Sequence, residues 1–280
     1  MRTTSGTRRL SRWIGNSLLG VMLVWTLVPF YWMAATSLKA DREIYGFEAT
    51  LIPRKPTLAA YQRLFAQTPF VKYVRNSSII AVTTTAASLV FGCLGAYALA
   101  RLRFPGRSLI ARGLVFTYLV PPSLLFIPLF AVMSVLRLTD THEGLILAYL
   151  GFTVPFCTWL LMGYFRSVPL ELEEAALVDG CGRLGALTRI ILPMSLPALA
   201  VVAFFSFTQA WNEFLYAHVF VNSVEVRTVT TGLTLFIIED VFFWGPMMAA
   251  ALLATIPPLA IYLVFQRWVV KGLTLGAVKG

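Results

Sequence analysis

The residues with most capacity for chemistry stand in two places. Residues 167–193 read S-V-P-L-E-L-E-E-A-A-L-V-D-G-C-G-R-L-G-A-L-T-R-I-I-L-P, a polar stretch between two long apolar runs. Trp211, Asn212 and Glu213 lie within a later apolar run. Cys93, Cys157 and Cys181 form no CxxC pair and no Cys/His ligand spacing, so small buried residues are their ordinary reading. His142 and His218 are isolated and read as surface residues. No metal cluster and no catalytic constellation is visible. There is no G-x-x-x-x-G-K-[ST] phosphate loop, so the chain cannot hydrolyse ATP by that route.

The polar stretch has the signals of a short helical hairpin. Ser167 suits an N-cap and Pro169 a first helical turn. Glu171, Glu173 and Glu174 oppose the positive end of the helix dipole. Gly180 suits the left-handed residue that closes a helix. These marks predict a helix over residues 169–178, a turn, and a second helix over residues 183–191. Pro193 and Pro197 then redirect the chain. Ala175 and Ala176 give the first helix a smooth flank that another surface can approach closely. Such a hairpin, clamped between two long apolar segments, is either a lever that tilts both or a solvated connector. Its physics leaves both open.

The elements around it are set by composition. Of 280 residues, 58% are hydrophobic and 13% are charged, about half the usual charged share of a soluble domain. That is too little charge to coat a water-facing surface, so lipid must be the solvent for much of the chain. Six apolar segments reach the roughly 20 residues needed to cross a bilayer as helices. They cover about residues 13–36, 77–100, 108–136, 145–165, 196–217 and 246–265. The first follows a basic start, as a signal peptide does. It is too long for a signal core and five more segments follow, so an uncleaved helix is expected. Pro121-Pro122, Pro128, Pro155 and Pro257-Pro258 interrupt the segments. Each removes a backbone donor, which lipid tolerates only where neighbours or a wet cavity satisfy the freed carbonyls.

The net charge is +10. The basic residues cluster beside apolar runs, without the interleaved aromatics of a nucleic-acid surface, so no nucleic acid is expected. With the N-terminus inside, the inner segments hold 14 of the 23 basic residues. Seven of the rest fall in one long loop, residues 37–76, which weighs less in the positive-inside rule. Both termini are therefore expected in the cytoplasm. Residues 1–12, 167–193 and 267–280 would be cytoplasmic parts of a single membrane domain. Trp13, Trp32, Trp211 and Trp244 fall near segment ends, as interfacial anchors do.

The polar stretch also carries a longer pattern. It contains Glu174-Ala175-Ala176, then Gly180, then Ile190, Leu192 and Pro193. This resembles the EAA signature of ABC-importer permeases. Ala100-Arg101-Leu102-Arg103-Phe104-Pro105-Gly106, Trp211-Asn212-Glu213 and the tail from Gln266 to Gly280 resemble the MalG-type subunits of carbohydrate importers, and the resemblance covers nearly the whole chain. Leu275 departs from the small residue expected in that tail.

The resemblance implies an all-α polytopic bundle of six transmembrane helices with the MetI-like core of type I importers. It implies that the loop is a coupling helix docked on an ATPase, with Glu174, Ala175, Ala176, Asp179, Gly180, Leu192 and Pro193 in the coupling surface. Glu174 would pair with a basic residue of the ATPase, and the tail would reach toward the same partner. The implied partners are a second, MalF-type permease, an ATP-binding-cassette dimer carrying ATP and magnesium, an extracytoplasmic solute-binding protein and membrane lipid. This chain itself would bind no cofactor. The expected setting is a bacterial or archaeal cytoplasmic membrane.

Trp211, Asn212 and Glu213 are candidates for the translocation path, since an ionisable group in an apolar span is a functional-site candidate by default. The ordinary reading of Glu213 is structural pairing near the outer interface, and that of Trp211 is an interfacial anchor. An ion-gradient transporter or channel would also fit six spans, but it leaves the patterned loop unexplained. A membrane enzyme would want acidic or histidine clusters at an interface, which the sequence lacks.

Overall fold

A computed structural model describes residues 5–238 and 241–277. The chain divides into two compact units, residues 1–70 with 233–255 and residues 71–232 with 256–280. Among the described residues, four stretches are long and apolar enough to cross a membrane: Arg12–Ser37, Phe70–Arg101, His142–Ser167 and Trp244–Trp268. Two bent pairs bring the number to six if each is one span: Arg107–Thr117 with Pro122–Val135, and Arg183–Met194 with Leu196–Asn212.

In the first unit, α1 (Ser5–Ser37) carries Pro29 within it. The unit also holds α2 (Ala59–Gln67), whose Ala60 and Leu64 are buried. Between them, polar contacts fold residues 38–58 back on themselves. Arg63 holds Asp41 with two hydrogen bonds of 2.9 and 2.7 Å. Lys39 donates to the Thr50 carbonyl and sits 4.8 Å from the Trp32 ring centre. The Thr50 hydroxyl and the Arg54 N–H hold the Glu43 carboxyl below its ordinary range.

The second unit runs through α3 (Phe70–Arg101), α4 (Arg107–Leu119), α5 (Pro122–Val135), α6 (His142–Ser167), α7 (Leu170–Val178), α8 (Arg183–Met194), α9 (Leu196–Asn212) and α10 (Leu215–Phe220). The first unit's last helix, α11 (Trp244–Ala254), precedes α12 (Ile256–Ala277), which belongs to the second. The core of the second unit is built from Tyr97, Cys157, Leu161, Phe165, Leu187, Ile191 and Val202. α3 and α6 approach closely because Gly92 has no side chain: a Cβ there would lie 2.8 Å from Cys157 Cβ. Ser88 and Thr153 hydroxyls meet across the two helices at 2.7 Å, and Cys157 Sγ meets Ser206 Oγ of α9 at 3.0 Å. Small residues and short polar pairs of this kind hold helices together where lipid supplies no hydrophobic drive.

Two expected spans are corrected. The segment expected over residues 108–136 is two helices bent by 102°. Val120 is extended, with ψ 119°, because the ring of Pro121 disfavours a helical residue before it. The segment expected over residues 196–217 stops at Asn212. Glu213 is extended, with ψ 128°, and the helix restarts at Leu215. Its lower end is also bent, by 84°, where α8 meets α9. The expected outer loop over residues 37–76 contains α2 and the first turns of α3.

A left-handed turn at Asp140, φ 59°, fastens the link between α5 and α6. Its N–H reaches the Phe220 carbonyl, and its carboxylate accepts from the N–H groups of Asn222 and Ser223. Burial opposes the charge there, but the Ser223 N–H and hydroxyl, the Asn222 N–H and the nearby Arg227 charge together hold the carboxyl below its ordinary value.

Candidate coupling site

The helical hairpin forms where its proline and glycine place it. α7 begins after Pro169 and ends at Val178, and Gly180 takes φ +86°. Its N–H reaches the Leu177 carbonyl at 3.2 Å and the Cys181 N–H reaches the Ala176 carbonyl at 2.9 Å. That bond pair is a Schellman closure. The second helix begins at Arg183 as expected, passes through a π-turn over Leu187–Ile191, and ends at Met194. Ser167 is corrected. It belongs to the last turn of α6, where its hydroxyl donates to the Tyr164 carbonyl at 2.7 Å, and Pro169 takes the N-cap position without a side-chain bond.

α7 has two faces. Glu173 and Ala176, three residues apart, are buried against the protein. Glu171, Glu174, Ala175 and Val178 form an exposed stripe at helical spacing, and Val178 is 87% exposed. The coupling residues therefore separate. Glu174, Ala175, Asp179, Gly180 and Pro193 are exposed. Ala176 is buried, and Leu192 is half-buried against the core. A partner would meet the first group. The second group sets the helix on its own chain.

What holds the inner face is Glu173, to which the sequence assigned only a dipole role. One carboxylate oxygen accepts a hydrogen bond from the Tyr97 hydroxyl at 2.6 Å. The other lies 3.3 Å from Arg101 Nε, and both charged side chains are almost fully buried. Arg101 Nη2 also donates to the carbonyls of Phe165 and Val168, at 2.7 and 2.6 Å. Arg107 caps the same end of α3 through the carbonyls of Leu99, Ala100 and Leu102. Read by charge alone, these arginines were orientation signals. Tyr97 and Arg101 stand four apart on one helix, a spacing that places them on one face and was the available clue.

The three path candidates lie at the end of α9. Trp211 is buried and stacks on Phe207, with ring centres 5.6 Å apart. Asn212 is exposed. Glu213 accepts from the Tyr149 hydroxyl at 2.9 Å and from the N–H groups of Tyr216 and Ala217 at 2.9 and 3.1 Å. Its own carbonyl accepts from Thr230 Oγ1 at 2.9 Å. The carboxylate thus caps α10 and ties it to α6. Among the described residues, no three His, Cys, Asp or Glu side chains gather as metal ligands do.

Comparison with known proteins decides the family. The family described as the binding-protein-dependent transport system inner membrane component matches residues 88–275, which include the whole hairpin. The chain belongs to this family. It is a multi-pass membrane protein and a transport component. It is 38% identical to an inner membrane ABC transporter permease protein of Escherichia coli, over 94% of both chains. It is 37% identical to the trehalose/maltose transport system permease protein MalG of Thermococcus litoralis, over 98% of both. A sulfoquinovosyl glycerol transport system permease protein of Agrobacterium fabrum is 39% identical over 93% of this chain and 91% of its own. The same fold occurs in a bacterial ABC transporter involved in import of the acidic polysaccharide alginate. That chain superposes with a TM-score of 0.82 at 24% identity, over 96% of this chain and all of its own.

Proposed function

We propose that this chain is half of the translocation pathway of an ATP-driven importer for a sugar or sugar-like solute. It pairs with a second, different permease. An ATPase dimer, which carries ATP and magnesium, docks on the hairpin from the cytoplasm. A solute-binding protein delivers cargo from the other side. Both termini then face the cytoplasm, in agreement with the inner excess of arginine and lysine. The carbohydrate class rests on relatives named for trehalose/maltose and sulfoquinovosyl glycerol transport.

The observation that carries the coupling role is the division of α7 into a buried face and an exposed stripe. A connector has no need of a buried carboxylate. A lever needs one face fixed to the body it moves and another offered to the part that pushes. Ala175, exposed and small, lets a partner surface come close, while Glu174 beside it offers a charge for a basic partner.

Ala175→Glu tests this. A bulky charge at a closed interface loses its water without gaining a partner, a cost of about 3–5 kcal/mol. The expected outcome is loss of the co-purifying ATPase by at least about a hundredfold in affinity, together with loss of uptake. Ala175→Ser should retain both. Intact assembly and uptake in the glutamate variant would refute the proposal.

A further inference from the structure

We propose that Arg101, with Glu173 and Tyr97, is a buried joint that makes α7 and the ends of α3 and α6 move as one rigid body. This rests on the coupling role proposed above and adds the residues that carry it into the spans.

α7 is joined to α6 by Val168 and Pro169 alone, both extended, with ψ 129° and 134°. Two such residues are a soft connection. A push on α7 would flex it before it tilted α6. Arg101 spans this connection. One nitrogen holds the carbonyls of Phe165, at the end of α6, and Val168, in the link itself. The same guanidinium faces Glu173 beyond the link. Arg101 is the last residue of α3, so a single side chain binds three elements. Tyr97, one turn earlier on α3, holds the second carboxylate oxygen and fixes the rotation of Glu173.

A buried pair is a poor way to add stability, because desolvation offsets the attraction. It is a good way to fix geometry, since displacing either member leaves a buried charge without its counter-charge. Glu173 immediately precedes Glu174 and Ala175, so the joint lies directly beneath the exposed stripe. Arg101, Glu173 and Tyr97 are positioning residues: they act through α7.

The test uses the full complex with its ATPase and receptor in proteoliposomes. Arg101→Gln should still assemble and hydrolyse ATP, because the exposed stripe is unchanged, but uptake per ATP should fall tenfold or more. Tyr97→Phe, which keeps the ion pair, should lower it two- to threefold. Spin labels at Leu172→Cys, on the flank of α7, and Leu94→Cys of α3 then report the joint directly, in a chain carrying Cys181→Ser. Their distance should stay constant between nucleotide-free and ATP-bound states in the otherwise native complex and should vary in Arg101→Gln.

A distance that changes in the otherwise native complex, or normal uptake per ATP in Arg101→Gln, overturns the joint. Should Arg101→Gln not assemble, the distance without that substitution still decides. An Ala175→Glu variant that assembles and transports would instead sink the coupling role itself, whereas a blocked Ala175→Glu with a fully coupled Arg101→Gln would remove the joint alone.

Discussion

Glu213 shows how a candidate for solute contact is decided by its hydrogen bonds. Its two oxygens accept from Tyr149, Tyr216 and Ala217, which leaves little acceptor capacity for a passing hydroxyl. Tyr149 is fully buried, so its hydroxyl has no water to turn to. Glu213→Ala should therefore lose about 1–3 kcal/mol for each buried donor left unpaired. Thermal unfolding in detergent should shift down by several degrees. Transport by the surviving protein should keep its KM. A raised KM at unchanged thermal stability would restore Glu213 to the solute path. The sequence made the residue conspicuous, as a carboxylate in an apolar run. It did not reveal the role, because Tyr149 lies 64 positions away. Glu173 is the converse case. In L-E-L-E-E-A-A three carboxylates look alike, and only the rotation of the helix turns one inward.

At the scale of elements, the hairpin was legible wherever backbone chemistry is local. Pro169 and Gly180 mark the two ends of α7 because neither ring nor missing Cβ depends on tertiary context. Ser167 was misread because a hydroxyl can serve either of two adjacent helices, and the length of α6 decided between them. The breaks after Leu119 and Asn212 escaped for a related reason. Hydropathy records that a segment is apolar, not that its helix is continuous. Pro121-Pro122 offered a visible cause for the first break, while the second goes with the Glu213 carboxylate that caps the helix restarting at Leu215. Gly180 gives the sharper test. A Cβ there would meet nothing within 4 Å, so a substitution meets no clash. The cost comes from φ +86° alone, about 1–2 kcal/mol for a residue with a Cβ. Gly180→Ala should leave the spans folded but unwind the Schellman closure and turn Asp179 away from its place. Uptake should drop several-fold with little change in protein yield, while Gly180→Asn, which tolerates the left-handed region, should recover most of it. Equal loss in both variants would show that the glycine is needed for space at a partner surface instead.

Orientation is a property of the whole chain, since it follows from the sum of basic residues on each side rather than from any one of them. Seven basic residues in the long loop over residues 37–76 run against the inner excess. Several of them are accounted for locally: Arg63 pairs with Asp41, Arg54 with Glu48, and Lys72 with Glu225. Exposed pairs of this kind contribute little stability, of order 0–1 kcal/mol, and what lightens these residues in the orientation count is the length of the loop that carries them. The molecule carries its own reporter for the outcome. Cys93 and Cys157 are buried among the spans, while Cys181 lies partly exposed in the turn between α7 and α8. A membrane-impermeant maleimide should therefore leave intact cells unlabelled and modify Cys181 in inside-out vesicles. Cys181→Ser should abolish that labelling, which excludes the two buried thiols. Stripping the ATPase from the vesicles should then speed the reaction, because Cys181 directly follows Gly180 at the edge of the exposed stripe. Labelling of Cys181 in intact cells would reverse the orientation and place the hairpin beyond the reach of any cytoplasmic ATPase. Labelling from inside at a rate that stripping does not change would keep the orientation but move the docking surface away from this turn.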